Sequence, residues 1–342
     1  MSFQYPLILD GGFATELERS FGKDLSGKLW SAQCLQDDPE AIKSVHKLYY
    51  EAGANVATTC SYQASIEGFI RAGYSEHHAV TLMRKSVSLA LEARDEFKQA
   101  HPNDDQQRLV ALSIGCYGAV LANGAEYTGD YGGITLQQLV QFHKERLSLF
   151  LSTTTESGGV DLVIFETIPS YLEAQAIKDI VSNWDVKDIA LPPVAVSFQC
   201  RSDDQIADGT PVLNALQVLS DAEGVFAIGI NCTKPKYVEN LFATVAQFNK
   251  QHQNNKALIA YPDGGEEWNA VARSWDDSAK LPEETFGCMM AKCAEDYGPR
   301  VLVGGCCGTG PAHIKTSESF SIKNSYIRSK IHIKNKVLIQ CT

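Results

Sequence analysis

The chain is 342 residues long, with 44% hydrophobic and 21% charged residues, a balance that excludes a disordered or fibrous protein and suits one large α/β domain. Thirty basic against 41 acidic residues leave a formal charge of −11, the wrong sign for a protein held to nucleic acid by phosphate contacts. No apolar run approaches the ~18 residues of a membrane span, and Met1-Ser2-Phe3-Gln4-Tyr5-Pro6 has no basic stretch, so neither a membrane anchor nor a signal peptide of the usual form is expected.

Short aliphatic or β-branched runs recur along the chain, each followed by a longer stretch of helical period. The runs are 7–9, 54–59, 109–114, 161–165, 193–198, 226–230, 257–261 and 301–303. Each is almost wholly apolar, as strands buried on both faces of a parallel sheet must be. Between them, residues 40–52 place Ile42, Val45, Leu48 and Tyr49 on one helical face with Gly53 as a stop. Residues 75–100 repeat the pattern through Val80, Met83, Val87, Ala90 and Leu91, and helices are predicted over 136–157, 171–182, 212–220, 235–251 and 282–296. Eight β-then-α alternations in about 300 residues predict a closed (β/α)8 barrel and not an open doubly wound sheet. The turn after the first strand, Asp10-Gly11-Gly12-Phe13, lacks the G-x-G-x-x-G spacing of a dinucleotide site.

No linker or repeat divides residues 1–314. After Ile314 the texture changes: Lys315–Thr342 holds six basic residues and one acidic residue, with isoleucines set among lysines and little helical amphipathicity. A barrel over 1–314 and an atypical basic tail over 315–342 are therefore expected.

Ten cysteines in a chain of this size without an export signal favour a cytosolic protein with reduced, mostly buried thiols. In a (β/α)8 barrel the working residues sit at the C-terminal ends of the strands. That filter leaves Cys232, ending the sixth strand in Gly229-Ile230-Asn231-Cys232, and Cys306 and Cys307, following the eighth in Gly304-Gly305-Cys306-Cys307-Gly308-Thr309. Three thiolates and an open fourth position describe a catalytic zinc site. Spacing alone leaves an incidental Cys-Cys pair or a vicinal redox disulfide open, although adjacent cysteines pair only with strain.

With Leu9-Asp10-Gly11-Gly12-Phe13-Ala14-Thr15-Glu16-Leu17, Thr59-Cys60-Ser61-Tyr62-Gln63-Ala64 and Phe165-Glu166-Thr167, these two motifs make the chain, over residues 5–314, resemble the homocysteine S-methyltransferase family of zinc-dependent barrels that make methionine. The resemblance implies one Zn²⁺ per chain on Cys232, Cys306 and Cys307, and homocysteine as methyl acceptor. It also implies that Asp10 and Glu166 hold the acceptor's ammonium, with the amides of Gly11, Gly12 and Phe13 and the hydroxyl of Thr59 near its carboxylate. Read without the family, Asp10 serves equally as a turn cap and Glu166 as the partner of a nearby cation.

Gly124-Ala125-Glu126-Tyr127-Thr128-Gly129-Asp130-Tyr131 is similar to the branch whose donor is S-methylmethionine or S-adenosylmethionine. Tyr62, Glu126, Tyr127, Asp130 and Tyr131 are the candidate donor contacts, because rings and carboxylates attract a sulfonium. An ordinary polar loop is the alternative for them. A betaine-dependent methyltransferase and a non-catalytic zinc-binding barrel are the rival functions. The family continues past the eighth strand into a closing amphipathic helix, which the composition of Lys315–Thr342 predicts to be missing or poorly formed.

Overall fold

A computed structural model describes residues 2–25, 27, 29–156, 158–269, 274–276 and 279–317, with the backbone alone at 30, 267–269 and 274–276. Among the described residues ten strands are formed: β1 (Leu7–Ile8), β2 (Val56–Thr58), β3 (Leu109–Gly115), β4 (Leu162–Ile168), β5 (Val194–Phe198), β6 (Val225–Asn231), β7 (Ala257–Tyr261), β8 (Glu267–Asn269), β9 (Ser274–Asp276) and β10 (Val301–Val303). Eight of them make one all-parallel sheet in the order β1-β10-β7-β6-β5-β4-β3-β2. A bridge between Leu9 and Val56 joins its ends, where the Asn55 amide donates to Ile8 O at 2.7 Å and the Asp10 amide to Val56 O at 3.0 Å. The sheet is thus closed, and the expected (β/α)8 barrel is the fold.

The strands bury both faces, and the two faces feed two separate cores. Inward residues, among them Leu7, Leu9, Leu109, Ala111, Leu162, Ile164, Ile259 and Leu302, fill the barrel. Outward residues such as Val110, Val163, Phe165 and Val196 pack under the helical ring. Each strand therefore reads as a continuous apolar run and not as an alternation.

The predicted helices are present with their ends shifted slightly. Tyr171–Ser182 and Pro235–Gln251 have the expected ends, the first capped by the Ser170 hydroxyl on the Glu173 amide. The helix expected over 136–157 stops at Leu151, and a bridge pairing Thr155 with Gly158 follows. Three β-branched residues in succession, Thr153 to Thr155, favour that stop. The antiparallel β8–β9 hairpin, with Trp268 opposite Trp275, was not foreseen.

The last described helix covers residues 311–317. Ile314 on it is fully buried, and the Thr316 hydroxyl donates to Glu283 O at 2.9 Å. This helix runs three residues past the expected boundary after Ile314. The remainder of the tail, and with it the expected lack of a full closing helix, lies outside the described residues. Among the described residues no helix is long and apolar enough to cross a membrane.

Candidate active site

The sulfur atoms of Cys232, Cys306 and Cys307 lie within 4.8 Å of one another at the C-terminal mouth of the barrel. Cys232 enters as the first residue past β6, in a left-handed conformation (φ 46°) with its amide held by Tyr261 O at 3.1 Å. Cys306 and Cys307 lie in the turn after β10. There the Cys306 amide donates to Pro262 O, Gly264 N donates to Cys307 O at 2.7 Å and Gly308 N to Thr15 Oγ1 at 2.9 Å. The Cys232 and Cys307 sulfurs are 3.9 Å apart, and all three thiols are free.

Within the cluster the thiol–thiol contacts dominate the protonation. Bonds from Cys232 and Cys306 hold the Cys307 thiol well below its ordinary range, and the same contacts raise Cys306. Cys306 pulls Cys232 down, but Cys307 and burial push it up by more. Of the three thiols, Cys307 is drawn toward its ionised form and the other two are held back. Ionising the others requires a cation, and a tetrahedral zinc with ~2.3 Å bonds places its sulfur ligands roughly 3.8 Å apart. The donor set fits such an ion.

Two predicted carboxyls stand at the same end of the barrel, and Glu166 feels Cys232 directly. Asp10, 3% exposed, accepts from the Thr58 amide at 2.7 Å and from the Thr58 hydroxyl at 3.0 Å, so it fastens the end of β2 and does not cap its own turn. Glu166, at the inward face of β4, accepts from the hydroxyls of Ser113 and Tyr261, the latter at 3.1 Å. Burial lifts Asp10 to about 8 against the Thr58 bonds, and lifts Glu166 to about 7 against those from Ser113 and Tyr261. Among the described residues neither carboxyl is paired with a cation.

The remaining predicted positions divide. The Gly12 amide is engaged by Thr309, through O at 3.1 Å and Oγ1 at 3.2 Å, and a Cβ at Gly12 would stand 2.7 Å from Cys306 O. Gly11 abuts Thr309 and Tyr49 just as closely, and the turn opens a helix over Phe13–Phe21. The ring of Phe13 lies 4.9 Å from that of His46, tilted at 41°, and its backbone is the first of the helix N-terminus. The Thr59 hydroxyl is bonded to Ser61 and accepts from the Ser113 amide, so Thr58, and not Thr59, meets Asp10.

Of the five candidate donor contacts, two face the sulfurs. Tyr127, half exposed, is held above its ordinary range chiefly by Cys232. Glu126 is raised by burial and by Cys232, and its buried Oε2 has no hydrogen-bond partner. Tyr62 packs so tightly on Gly115 that a Cβ there would meet its carbonyl at 2.4 Å. Asp130 turns back on its own loop, accepting from Gly132 N at 3.1 Å. Tyr131 donates to Glu173, away from the mouth.

Two buried residues that organise these loops escaped sequence reading. Arg146 spreads its guanidinium over the carbonyls of Ser61, Tyr62, Ala64 and Gly115 at 2.9–3.3 Å. Glu173, wholly buried, accepts from His143 Nε2 and from the Tyr117 amide, both at 2.7 Å, and from Tyr131. An arginine on the apolar stripe of a predicted helix was the available signal for the first.

Residues 7–319 match the model of the homocysteine S-methyltransferase family. Homocysteine S-methyltransferase 1 of Zea mays is 40% identical over 313 residues, covering 90% of this chain and 92% of that protein. A selenocysteine Se-methyltransferase of Brassica oleracea var. italica is 38% identical over 316 residues, covering 90% of this chain and 86% of its own length. Among solved structures, the metallated form of the homocysteine methyltransferase MmuM from Escherichia coli superposes with a TM-score of 0.76 at 32% identity, covering 92% of this chain and 96% of that one.

Proposed function

The chain belongs to the homocysteine S-methyltransferase family, and from that premise we propose that it transfers a methyl group from S-methylmethionine, or from S-adenosylmethionine, to homocysteine with the help of one zinc ion. The observation that carries the reading is the close set of three sulfurs at the barrel mouth, with two buried carboxyls at the same end that no cation neutralises among the described residues. Cys232, Cys306 and Cys307 would hold the zinc, which supplies a cation at which a bound thiol ionises near neutral pH while its sulfur stays nucleophilic.

The chain's own residues bind and orient. Asp10 and Glu166 take the ammonium of homocysteine, which fixes the amino-acid end and points the thiol at the cysteines. A bound ammonium also draws both carboxyls to their ionised form. The N-terminus of the helix Phe13–Phe21, in the turn begun by Gly11 and Gly12, offers positive dipole to the carboxylate, with Thr59 beneath it. Across the cluster, Glu126 and Tyr127 present a carboxylate and a ring to the cationic donor, with Tyr62 as a wall. Asp130 and Tyr131 support this lip from outside.

The acceptor sulfur attacks the methyl carbon as the carbon's bond to the donor sulfur breaks. The electron pair leaves on a sulfur that becomes a neutral thioether, so no general acid is needed and catalysis is positioning plus thiol ionisation. Reduced thiols at the site support a cytosolic location. The division into a barrel over 1–314 and a basic tail over 315–342 belongs to the same proposal. Strong hydrogen-exchange protection throughout Lys315–Lys336 would count against it.

The test is donor-by-donor methionine formation by the purified protein, with zinc content measured alongside. S-methylmethionine or S-adenosylmethionine should support turnover and betaine should not. Tight zinc with no product from any donor would favour a non-catalytic barrel. Selenocysteine belongs in the assay as a competing acceptor, since a relative of similar identity is named for it.

A further inference from the structure

Strand β4 carries one residue too many where it passes β5. Phe165 pairs with Val196 and Ile168 with Phe198, so three steps on β4 answer two on β5. Thr167, inside this bulge, has φ 59°, a left-handed conformation that a β-branched residue takes only when its surroundings hold it there. The bulge takes in Glu166 and Thr167 and removes the Thr167 amide from the ladder. That amide donates instead to Asn231 Oδ1 at 2.7 Å, and Asn231 Nδ2 donates to Thr167 Oγ1 at 2.8 Å. Because an amide N–H can only donate, the orientation of the carboxamide is fixed.

Asn231 has no exposed surface and is the last residue of β6, one before Cys232. Its Oδ1 also accepts from Ser197 Oγ at 2.8 Å. Ser197 Oγ lies 2.7 Å from Tyr261 Oη, whose single hydroxyl hydrogen goes to Glu166. One side chain thus holds the backbone that follows Glu166 and packs against the hydroxyl pair that borders its carboxyl. The same side chain stands on the strand that ends in the first cysteine of the cluster.

We propose that Asn231 is a positioning residue for the acceptor: by holding Thr167 in its left-handed conformation it sets where the Glu166 carboxyl stands relative to the three sulfurs. The proposal rests on the reading that Glu166 takes the homocysteine ammonium. It assigns Asn231 no contact with substrate or metal.

The experiment uses the full chain with zinc present and reads homocysteine KM, kcat, zinc content and melting temperature. Asn231→Ala should raise KM by roughly ten- to a hundredfold, the range for losing a hydrogen-bonded prop beneath a strained residue, with zinc content unchanged and kcat lowered less. Adding Thr167→Gly should recover at least about threefold of that loss, since glycine takes a positive φ without steric cost. A merely structural role would not give that rescue. Glu166→Gln separates the two layers: if it leaves KM unchanged, the acceptor reading fails and the proposal with it. If it raises KM while Asn231→Ala does not, the proposal alone fails. Loss of zinc from Asn231→Ala, or no rescue by glycine, also overturns it. Should Asn231→Ala not accumulate as folded protein, Thr167→Val reads the same contact with shape retained, and an unchanged KM there is equally fatal.

Discussion

The lower and upper halves of the barrel interior are built from the same strands and the same inward alternation, yet they hold opposite kinds of side chain. Along β4 the inward residues are Leu162, Ile164 and then Glu166; along β3 they are Leu109, Ala111 and then Ser113. On β5, β6 and β7 alanines at the base give way to Ser197, Asn231 and Tyr261 at the mouth. At the base, alanines from β5, β6 and β7 make room for leucines and isoleucines from β1, β3 and β4, and the contacts have no direction. At the mouth, Ser113, Glu166, Ser197, Asn231 and Tyr261 are bonded to one another or to Thr167 across the strands, and those pairings are directional. Damage at the base should therefore cost stability while sparing affinity, and damage at the mouth the reverse.

The sharpest break of that contrast is at the sulfurs. Cys232→Ala, Cys306→Ala and Cys307→Ala should each lose zinc and with it methionine formation, while the melting temperature moves far less. Two thiolates and water cannot match the charge or affinity of three. Metal analysis of each purified variant decides it, and full zinc in Cys307→Ala defeats the three-cysteine assignment. Next in size is Arg146→Ala, which strips donors from four loop carbonyls and should destabilise the fold by about 3 kcal/mol in urea unfolding while also raising homocysteine KM. Lysine should not rescue it, because one ammonium cannot reproduce the fork.

Ile164→Ala probes the base alone. It should cost about 3 kcal/mol through the cavity it leaves, with homocysteine KM held within about twofold because the sites act independently. A large change in KM would erase the distinction between the halves.

The carboxyls sharpen the contrast through pH. Asp10 and Glu166 stand at about 8 and about 7 in the folded metal-free protein, above the ordinary 3.8 and 4.5. Folding thus takes up protons. The contribution of these two groups is fully present below their ordinary range and is lost as pH rises through about 7 and about 8. Melting temperature should fall from acid to alkaline pH across that window, while homocysteine affinity improves, since the ammonium needs an ionised partner. Glu166→Gln should flatten the first profile and raise KM by roughly ten- to a hundredfold. Homocysteine titrating normally into that variant by calorimetry removes Glu166 from the site, and the same measurement on Asp10→Ala tests its neighbour. The smallest effects belong to Cys60→Ala and Cys200→Ala, buried thiols outside the cluster, with stability within about 1 kcal/mol of the parent and turnover unchanged.

How far the chain could be read in advance follows the range of the forces involved. All eight barrel strands were legible because burial on both faces makes each an unbroken apolar run, and Tyr171–Ser182 and Pro235–Gln251 were legible to the residue because local caps and prolines end them. The three cysteines were legible because strand order alone carries them to one end of a closed sheet. The β8–β9 hairpin was not, since two strands of three residues have no period to detect. Nor was the division of the donor lip, where Glu126 and Tyr127 face the sulfurs but Tyr131 turns to Glu173, four residues giving no sign of which way each side chain points.

Sequence by itself determined the barrel, its direction and the residue types at its mouth, because periodicity and chain order are local properties that eight repeats enforce eight times. Only the tertiary structure decided that Thr58 and not Thr59 meets Asp10, that Asn231 props the Thr167 bulge, and that Arg146 serves four carbonyls on the loop after β2 and the end of β3. Those are pairings between residues from 31 to 85 positions apart. A hydrogen bond depends on angle and on tenths of an ångström, which the register of neighbouring strands fixes and no single segment contains.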